Sequence, residues 1–206
     1  MSTLAVALPG LAWACTSEPE AAGPPMTCTH WGTDEQLTQR PSGFDSAMVS
    51  SDAGDAKVCY SRPTARGRVV FGALVPWDTL WRTGANEATA LHLSAASEIA
   101  GIPVDSGAYT LYTVPSEAGF TVVINASTGQ WGLTMDAVGA NGREFENAYT
   151  PEVRRREVGR APIATEAIEP VDTLTAHFEG ITGDQVRLLF DWETTRIVIP
   201  IRFGGS

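Results

Sequence analysis

The stretch LTAHFEGITGDQVRLLFDWETTRIVIPIRF, residues 174–203, alternates apolar and polar side chains over three short runs. Such a period of two places every second residue on one face of a β-strand. The turn sequence EGITGD joins the first two runs and predicts a hairpin, and a short ETT turn before Ile197 predicts a second one. Pro200 interrupts the last run, which favours an edge strand or an interrupted strand there because proline cannot donate to a ladder.

Similar runs occur upstream, from Lys57 onward, and include Ala88–Leu93, Tyr109–Val114 and Phe120–Asn125. The 20 glycines and 13 prolines of the chain supply turns between them. We therefore predict an all-β fold class, an antiparallel β-sandwich of about eight or nine strands, jelly-roll or immunoglobulin-like, with few short helices. One such helix is predicted at Pro151–Glu157, inside an irregular stretch that covers residues 136–160.

Length and charge limit the domain count and the class of partner. The 206 residues suit one domain, predicted at 28–206, behind a signal segment at 1–15 and a flexible linker at 16–27. The 14 Lys and Arg residues and 24 Asp and Glu residues give a net charge of -10, which repels phosphate backbones. Nucleic acid is therefore excluded from the predicted partners.

The N-terminal segment predicts export. Leu4–Ala14 is an apolar run of signal-peptide length, and Cys15 after a small residue looks like a bacterial lipobox, although no Lys or Arg precedes the run. Lipidation at Cys15 and simple signal cleavage both remain open. The predicted location is the periplasm or a lipid anchor on the cell envelope, with membrane association through the N-terminal lipid in the second case.

The two remaining cysteines predict a disulfide. With Cys15 consumed by lipid, Cys28 and Cys59 form an even pair, as expected in an oxidising compartment. The bridge would close a loop of about 30 residues and stabilise the fold by about 3–4 kcal/mol. The alternative is a metal site that includes His30, but a fourth ligand is missing. No metal and no cofactor are predicted.

The densest motif is CYSRPTARGRVVFGALVPWDTLWRTGANEAT, residues 59–89. With its YSRP, GR, VP and WRTGANEAT elements it resembles the bacterial domain-of-unknown-function family DUF2911. Later blocks of the chain, GIPVDSGAYTLYTVP, FTVVIN, QWG and DWETTRIVIPI, are similar to that family as well. The resemblance covers roughly residues 28–201 and implies no activity, cofactor or catalytic residue.

The motif contains a cluster of candidate site residues that is rich in arginine and hydrogen-bonding groups. Its members are Tyr60, Ser61, Arg62, Arg68, Trp81, Arg82, Asn86 and Glu87. In a structural interpretation Arg82 pairs with Glu87, Arg62 binds backbone carbonyls and Asn86 supports a turn. Arg82→Ala should then lower stability by more than about 1 kcal/mol, because its partners would be stranded.

In a binding interpretation the same donors converge on a small polar, anionic or polyhydroxyl ligand. Trp81, Trp77 or Tyr60 would supply a stacking surface. Trp192 is predicted in the core, and Trp131 at a rim of the sandwich. A cell-envelope scaffold or interaction module is the third class considered, and it would instead present a flat apolar patch. The oligomeric state is left open.

An enzyme is the alternative function, specifically a hydrolase of saccharides or esters with a cleft near Arg82 and Glu87. Ser61 lacks a G-x-S-x-G elbow, and His92, within an alternating strand, is predicted to be exposed or hydrogen-bonded. Nothing in the spacing places Glu87 and Asp191 in one cleft as paired carboxylates. The chain also lacks a phosphate loop and a dinucleotide-binding fingerprint.

Overall fold

The structure is a computed structural model that describes residues 25–130 and 150–204. The predicted signal segment with Cys15 and the predicted rim position of Trp131 lie outside the described residues. No helix within these two ranges is long and apolar enough to cross a membrane.

The described chain is built mainly of antiparallel strands. In chain order its elements are α1 Asp34–Thr38, β1 Gly43–Ser51, β2 Gly54–Arg62, β3 Ala90–Leu93, β4 Ser97–Ile99, β5 Ile102–Val104, β6 Gly107–Ser116, β7 Gly119–Asn125, α2 Pro151–Arg154, β8 Glu157–Thr182 and β9 Gln185–Phe203. The predicted all-β class with few short helices is confirmed, as is a helix that begins at Pro151. The predicted packing of two sheets as a sandwich stays a prediction.

The nine strands follow the order β1-β2-β3-β6-β7-β8-β9-β4-β5. Apolar residues at alternate positions of β2, β3, β6 and β7 point into one large core; they include Val58, Tyr60, Leu91, Leu111 and Val122. The intervening residues occupy the opposite side of the same strands, here called the outer face. They include Cys59, Ser61, His92, Thr110 and Tyr112.

A bend in β9 replaces the predicted hairpin turn at Glu193–Thr195. A straight strand of 19 residues would separate its ends by roughly 60 Å, yet the Phe203 N–H donates to the Asp184 C=O at 2.8 Å. Glu193 has a φ of 54°, and β8 shows register shifts on both sides of Val171, opposite Glu193. The ETT turn prediction was wrong, because positive φ and bulges bend a strand without ending it.

Of the two alternatives that Pro200 predicts, an edge strand or an interrupted strand, the edge position was wrong. β9 lies between β8 and β4, and the Pro200 carbonyl accepts the Ala100 N–H at 2.8 Å. Pro200 stands where β9 changes its partner. The pairing of β9 with β8 ends at Val198, and its pairing with β4 begins at Ile201, so no pairing requires the N–H that proline lacks. The central strand therefore tolerates the proline where its ladder partner changes.

Residues 25–42 precede β1 and pack on the outer face; this segment is here called the strap. The predicted disulfide between Cys28 and Cys59 is confirmed, with 5.6 Å between the two Cα atoms, and it fixes the strap to β2. Helix α1 was not predicted, although Thr33 and Gln36 form a capping box that marks its start. The hydroxyl of Thr33 accepts the Gln36 N–H, and the Gln36 side chain accepts the Thr33 N–H.

Candidate functional site

Glu87 is the centre of a buried polar network on the outer face. Both of its carboxylate oxygens accept from Arg40 Nη1 at 2.9 Å, and Oε1 also accepts the Trp31 N–H at 2.6 Å. The Ser61 hydroxyl donates to Oε2 at 3.4 Å. With only 3% of its surface exposed, Glu87 needs these donors, because an unpaired buried carboxylate would be strongly unfavourable.

The predicted partner of Glu87 was therefore wrong: the ion pair forms with Arg40, not with Arg82. Arg40 belongs to the strap and lies 47 residues before Glu87, so no local pattern in the sequence connects them. Arg40 also donates to the Trp31 carbonyl. Trp31 and Arg40 of the strap are therefore bound to each other as well as to the Glu87 carboxylate.

Arg82 is a half-buried cation, and part of its hydrogen-bonding capacity is unused. Its Nε and Nη1 atoms are buried and have no hydrogen-bond partner among the described residues. Burial lowers the pKa of Arg82 to about 10, and the negative charge of Glu87 acts in the opposite direction. The side chain therefore remains charged at neutral pH. A buried charged donor without an acceptor destabilises a fold, so these two nitrogens lower stability unless an acceptor reaches them.

The turn that contains Arg82 is held at both ends by the sheet. Trp81 exchanges two backbone hydrogen bonds with Thr113 of β6, and the Thr89 N–H closes the turn by donating to the Arg82 carbonyl at 3.1 Å. Trp81 packs in the main core, whereas Leu80 packs with Tyr112 and other residues of the outer face. Alternation along this extended segment places Arg82 on the side of Leu80, the outer face.

Arg62 and Tyr60 instead connect β2 to β8. Arg62 donates from Nε to the Leu174 carbonyl at 3.1 Å and from Nη2 to the Thr175 hydroxyl at 2.9 Å. The Tyr60 hydroxyl accepts the Ala176 N–H at 2.8 Å, and burial raises the pKa of Tyr60. These two side chains are engaged within the fold.

Arg68 and Asn86 are engaged locally as well. Arg68 donates to the carbonyls of Ala65 and Thr64 at 2.8 Å each, so it closes its own turn. Asn86 has a φ of 56°, which asparagine tolerates better than most residues, and its amide donates to the Ser42 carbonyl at 3.1 Å. Asn86 thus attaches the Arg82 turn to the end of the strap.

The aromatic residues proposed as stacking surfaces lie elsewhere. Trp81 and Tyr60 are buried in the main core, where Trp81 stacks on Trp192 with 5.6 Å between ring centroids. The prediction that Trp192 lies in the core is therefore confirmed. Trp77 packs on Phe71 at 6.5 Å. None of the three presents a free ring on the outer face.

Trp31 is the aromatic residue that sequence reasoning missed. It is 57% exposed, its indole N–H donates to the Gly129 carbonyl at 2.9 Å, and its backbone N–H binds Glu87. A usable signal was present, because Trp31 stands in a polar segment, THWGTDEQ, that offers no apolar neighbours for a core.

A small cavity lies beneath the strap, between the disulfide and Glu87. It has a volume of about 20 Å³, room for about one water molecule, and Cys59, Glu87, His92 and Thr128 are among the residues that line it. His92 is buried and its Nε2 has no partner in the described part of the chain, so its prediction as exposed or hydrogen-bonded was wrong. Burial, with the charge of Lys57, lowers the pKa of His92.

The described residues give no support to a hydrolytic site. The Ser61 hydroxyl binds Glu87 rather than an imidazole, and Asp191 accepts two hydrogen bonds from Arg196 at 2.7 and 2.8 Å. Both bridged cysteines are unavailable as metal ligands. Across residues 25–130 and 150–204, no group of three or more His, Cys, Asp or Glu residues could hold a metal ion.

Comparison with known proteins gives one family. The sequence profile of the family described as "Protein of unknown function (DUF2911)" matches residues 42–201, the larger part of the chain. No curated protein and no solved structure matches. The matched range contains the Arg82 turn, β2 and Glu87, but it begins after the disulfide cysteine of the strap, Trp31 and Arg40.

Proposed function

This chain belongs to the DUF2911 family, whose description names no activity, and we propose that it is a binding module for a small anionic ligand held by Arg82. The observation that carries the proposal is the pair of buried guanidinium nitrogens, Nε and Nη1, without hydrogen-bond partners. A carboxylate or phosphate oxygen is the acceptor that a guanidinium binds best.

The engaged neighbours of Arg82 support this assignment. The acceptor sites of Glu87 are already occupied by Arg40, Trp31 and Ser61, so a hydrogen bond from Arg82 would have to displace one of them. Arg82 as a whole residue is half-buried, so part of it is exposed to solvent. Arg62 and Arg68 of the motif are bound within the fold.

The proposal includes an oxidising location outside the cytoplasm. Structural disulfides persist in such compartments, and the Cys28–Cys59 bridge supports this location. Anchoring by lipid at Cys15, in the periplasm or at the cell envelope, is part of the same proposal and is tested by mass spectrometry of the chain isolated from its host.

Arg82→Met tests the binding site, because methionine retains an apolar stem and removes the charge. Inorganic phosphate and acetate serve as probes at low ionic strength. We expect either probe to raise the melting temperature of the wild type and to give saturable heat in calorimetry, and to do neither with the variant. Without a probe the variant should be at least as stable as the wild type, because no hydrogen bond at Nε or Nη1 is lost.

Arg62→Met is the matched control. It should lower the melting temperature without a probe, since its bonds to Leu174 and Thr175 are lost, and it should keep the response to the probes. Absence of saturable binding of both probes to the wild type would overturn the proposal. An equal response of the Arg82 variant and the wild type would overturn it as well.

A further inference from the structure

Trp31 has an exposed ring in a fixed orientation. The backbone N–H and the indole N–H are on opposite parts of the residue, and both are bound to the fold, to Glu87 at 2.6 Å and to the Gly129 carbonyl at 2.9 Å. Exposed tryptophan is usually avoided or left rotating, because its large apolar ring gains most free energy when covered. Trp31 is held by both of these hydrogen bonds, and the residue is still 57% exposed, so its ring is a preformed stacking surface.

Hydrogen bonds connect this ring to the Arg82 turn. Gly129, which accepts the indole N–H, precedes Gln130, whose carbonyl accepts the Ala88 N–H at 2.9 Å. Ala88 adjoins Thr89, whose N–H closes the turn on the Arg82 carbonyl at 3.1 Å. Glu87 forms a second connection, because it binds Trp31 directly and its charge affects the pKa of Arg82. Trp31 and Arg82 therefore have Glu87 as a common neighbour on the outer face.

The surroundings of the ring are polar rather than apolar. Thr29 and Thr128 are exposed and line the same small cavity as Gly129, and they offer hydroxyl groups that donate and accept. Large exposed apolar side chains in the described residues, such as Met48, Val69 and Ile181, belong to β1, to the 66–78 loop and to the end of β8. A ligand with a flat face and hydroxyl groups at its rim suits this region better than an apolar one.

We propose that the ligand is a sugar acid whose carboxylate binds Arg82 and whose ring stacks on Trp31. This inference rests on the proposed anion site at Arg82 and adds the class of ligand. The carboxylate supplies the acceptor that the guanidinium nitrogens lack. The C–H face of the sugar covers the indole, and its hydroxyl groups bind Thr29 and Thr128.

Calorimetry with glucuronate, glucose and acetate tests the class of ligand. We expect glucuronate to bind the wild type about tenfold more tightly than acetate, because it adds the stacking contact, and glucose to bind far more weakly than glucuronate. Trp31→Ala should reduce glucuronate affinity to that of acetate and leave acetate binding unchanged. Trp31→Phe should restore part of the difference, since it restores part of the aromatic surface.

Met48→Ala is the control for loss of an exposed apolar side chain, since Met48 is 54% exposed on β1, and it should leave both affinities unchanged. Equal binding of glucuronate and acetate to the wild type, with both lost in Arg82→Met, would overturn the sugar-acid inference and leave the anion site standing. Glucuronate binding that depends on Trp31 but not on Arg82 would instead overturn the anion site, and with it the assignment of the carboxylate.

Discussion

Glu87 and Arg82 lie in one turn, but they differ in how fully their charged groups are hydrogen-bonded. Glu87 accepts from a guanidinium, a backbone amide and a hydroxyl, whereas two nitrogens of Arg82 have no acceptor in the described chain. The expected loss of stability in Arg82→Ala was based on partners that the structure does not show. Residues that leave polar atoms unsatisfied at some cost in stability are characteristic of binding sites, where a ligand completes the arrangement.

His92 gives a prediction on pH dependence at the residue scale. Its pKa is lowered from 6.5 by burial, and the unfolded chain therefore binds the proton more readily than the folded protein. The neutral histidine is fully compatible with the fold above about pH 6.5, and stability is lost as the pH falls below that value towards the folded pKa. We expect urea unfolding between about pH 7 and pH 5 to show a smaller loss in His92→Gln than in the wild type. Parallel pH profiles would contradict the role of His92.

The strap is the element that shapes the outer face. It contributes Trp31 and Arg40 to Glu87, the Ser42 carbonyl to Asn86, and the cysteine that bridges to β2. Its own helix, α1, contains no buried residue, so the strap depends on these few contacts and not on a core of its own. The disulfide therefore holds in place the segment that supplies the exposed ring.

Cys28→Ser combined with Cys59→Ser tests that dependence. We expect the free energy of unfolding to fall by about 3 kcal/mol, because the unfolded chain regains the freedom of the loop that the bridge closes. Urea unfolding measures the change, and chymotrypsin cleavage after the exposed Trp31 should accelerate as the strap detaches. Reduction of the wild type should reproduce both effects and leave the double variant unaffected. Unchanged stability and unchanged cleavage would show that the strap is held without the bridge.

At the scale of the whole molecule, the long β8–β9 hairpin bends so that both ends of β9 meet. Phe203 bonds to Asp184 through the backbone, pairs with Ser97 of β4 and packs its ring against Gly54 at the start of β2. A Cβ atom at Gly54 would lie 2.9 Å from that ring, so the approach requires glycine. The far end of the sheet order is thereby brought to the turn between β1 and β2.

Phe203→Ala should destabilise this closure. Phe203 is buried, so its truncation should cost about 3–5 kcal/mol in unfolding free energy and accelerate amide exchange at the two ends of β9. Chemical unfolding and hydrogen exchange measure the two effects. Val158→Ala, which alters an exposed side chain of β8, should change stability by less than about 0.5 kcal/mol. A similar small effect for Phe203→Ala would mean that the bend does not depend on this contact.

The sequence by itself determined the elements whose signals are local. Alternation predicted the later strands and the core position of Trp192, turn composition predicted the EGITGD turn before β9, and cysteine parity predicted the disulfide. The motif also drew attention to Arg82 and Glu87. These predictions succeeded because a period of two, a turn composition and an even cysteine count are properties of neighbouring residues or of simple chemistry.

Only the tertiary structure decided which polar groups meet. It paired Glu87 with Arg40 across 47 residues, left two nitrogens of Arg82 unpaired, and bound Trp31 to Glu87 and Gly129. It also turned a predicted hairpin at Glu193 into a bend within β9. Such outcomes depend on which segments cover the outer face. A hydrogen bond between distant segments leaves no periodic pattern in the sequence, because its geometry exists only after the sheet has formed.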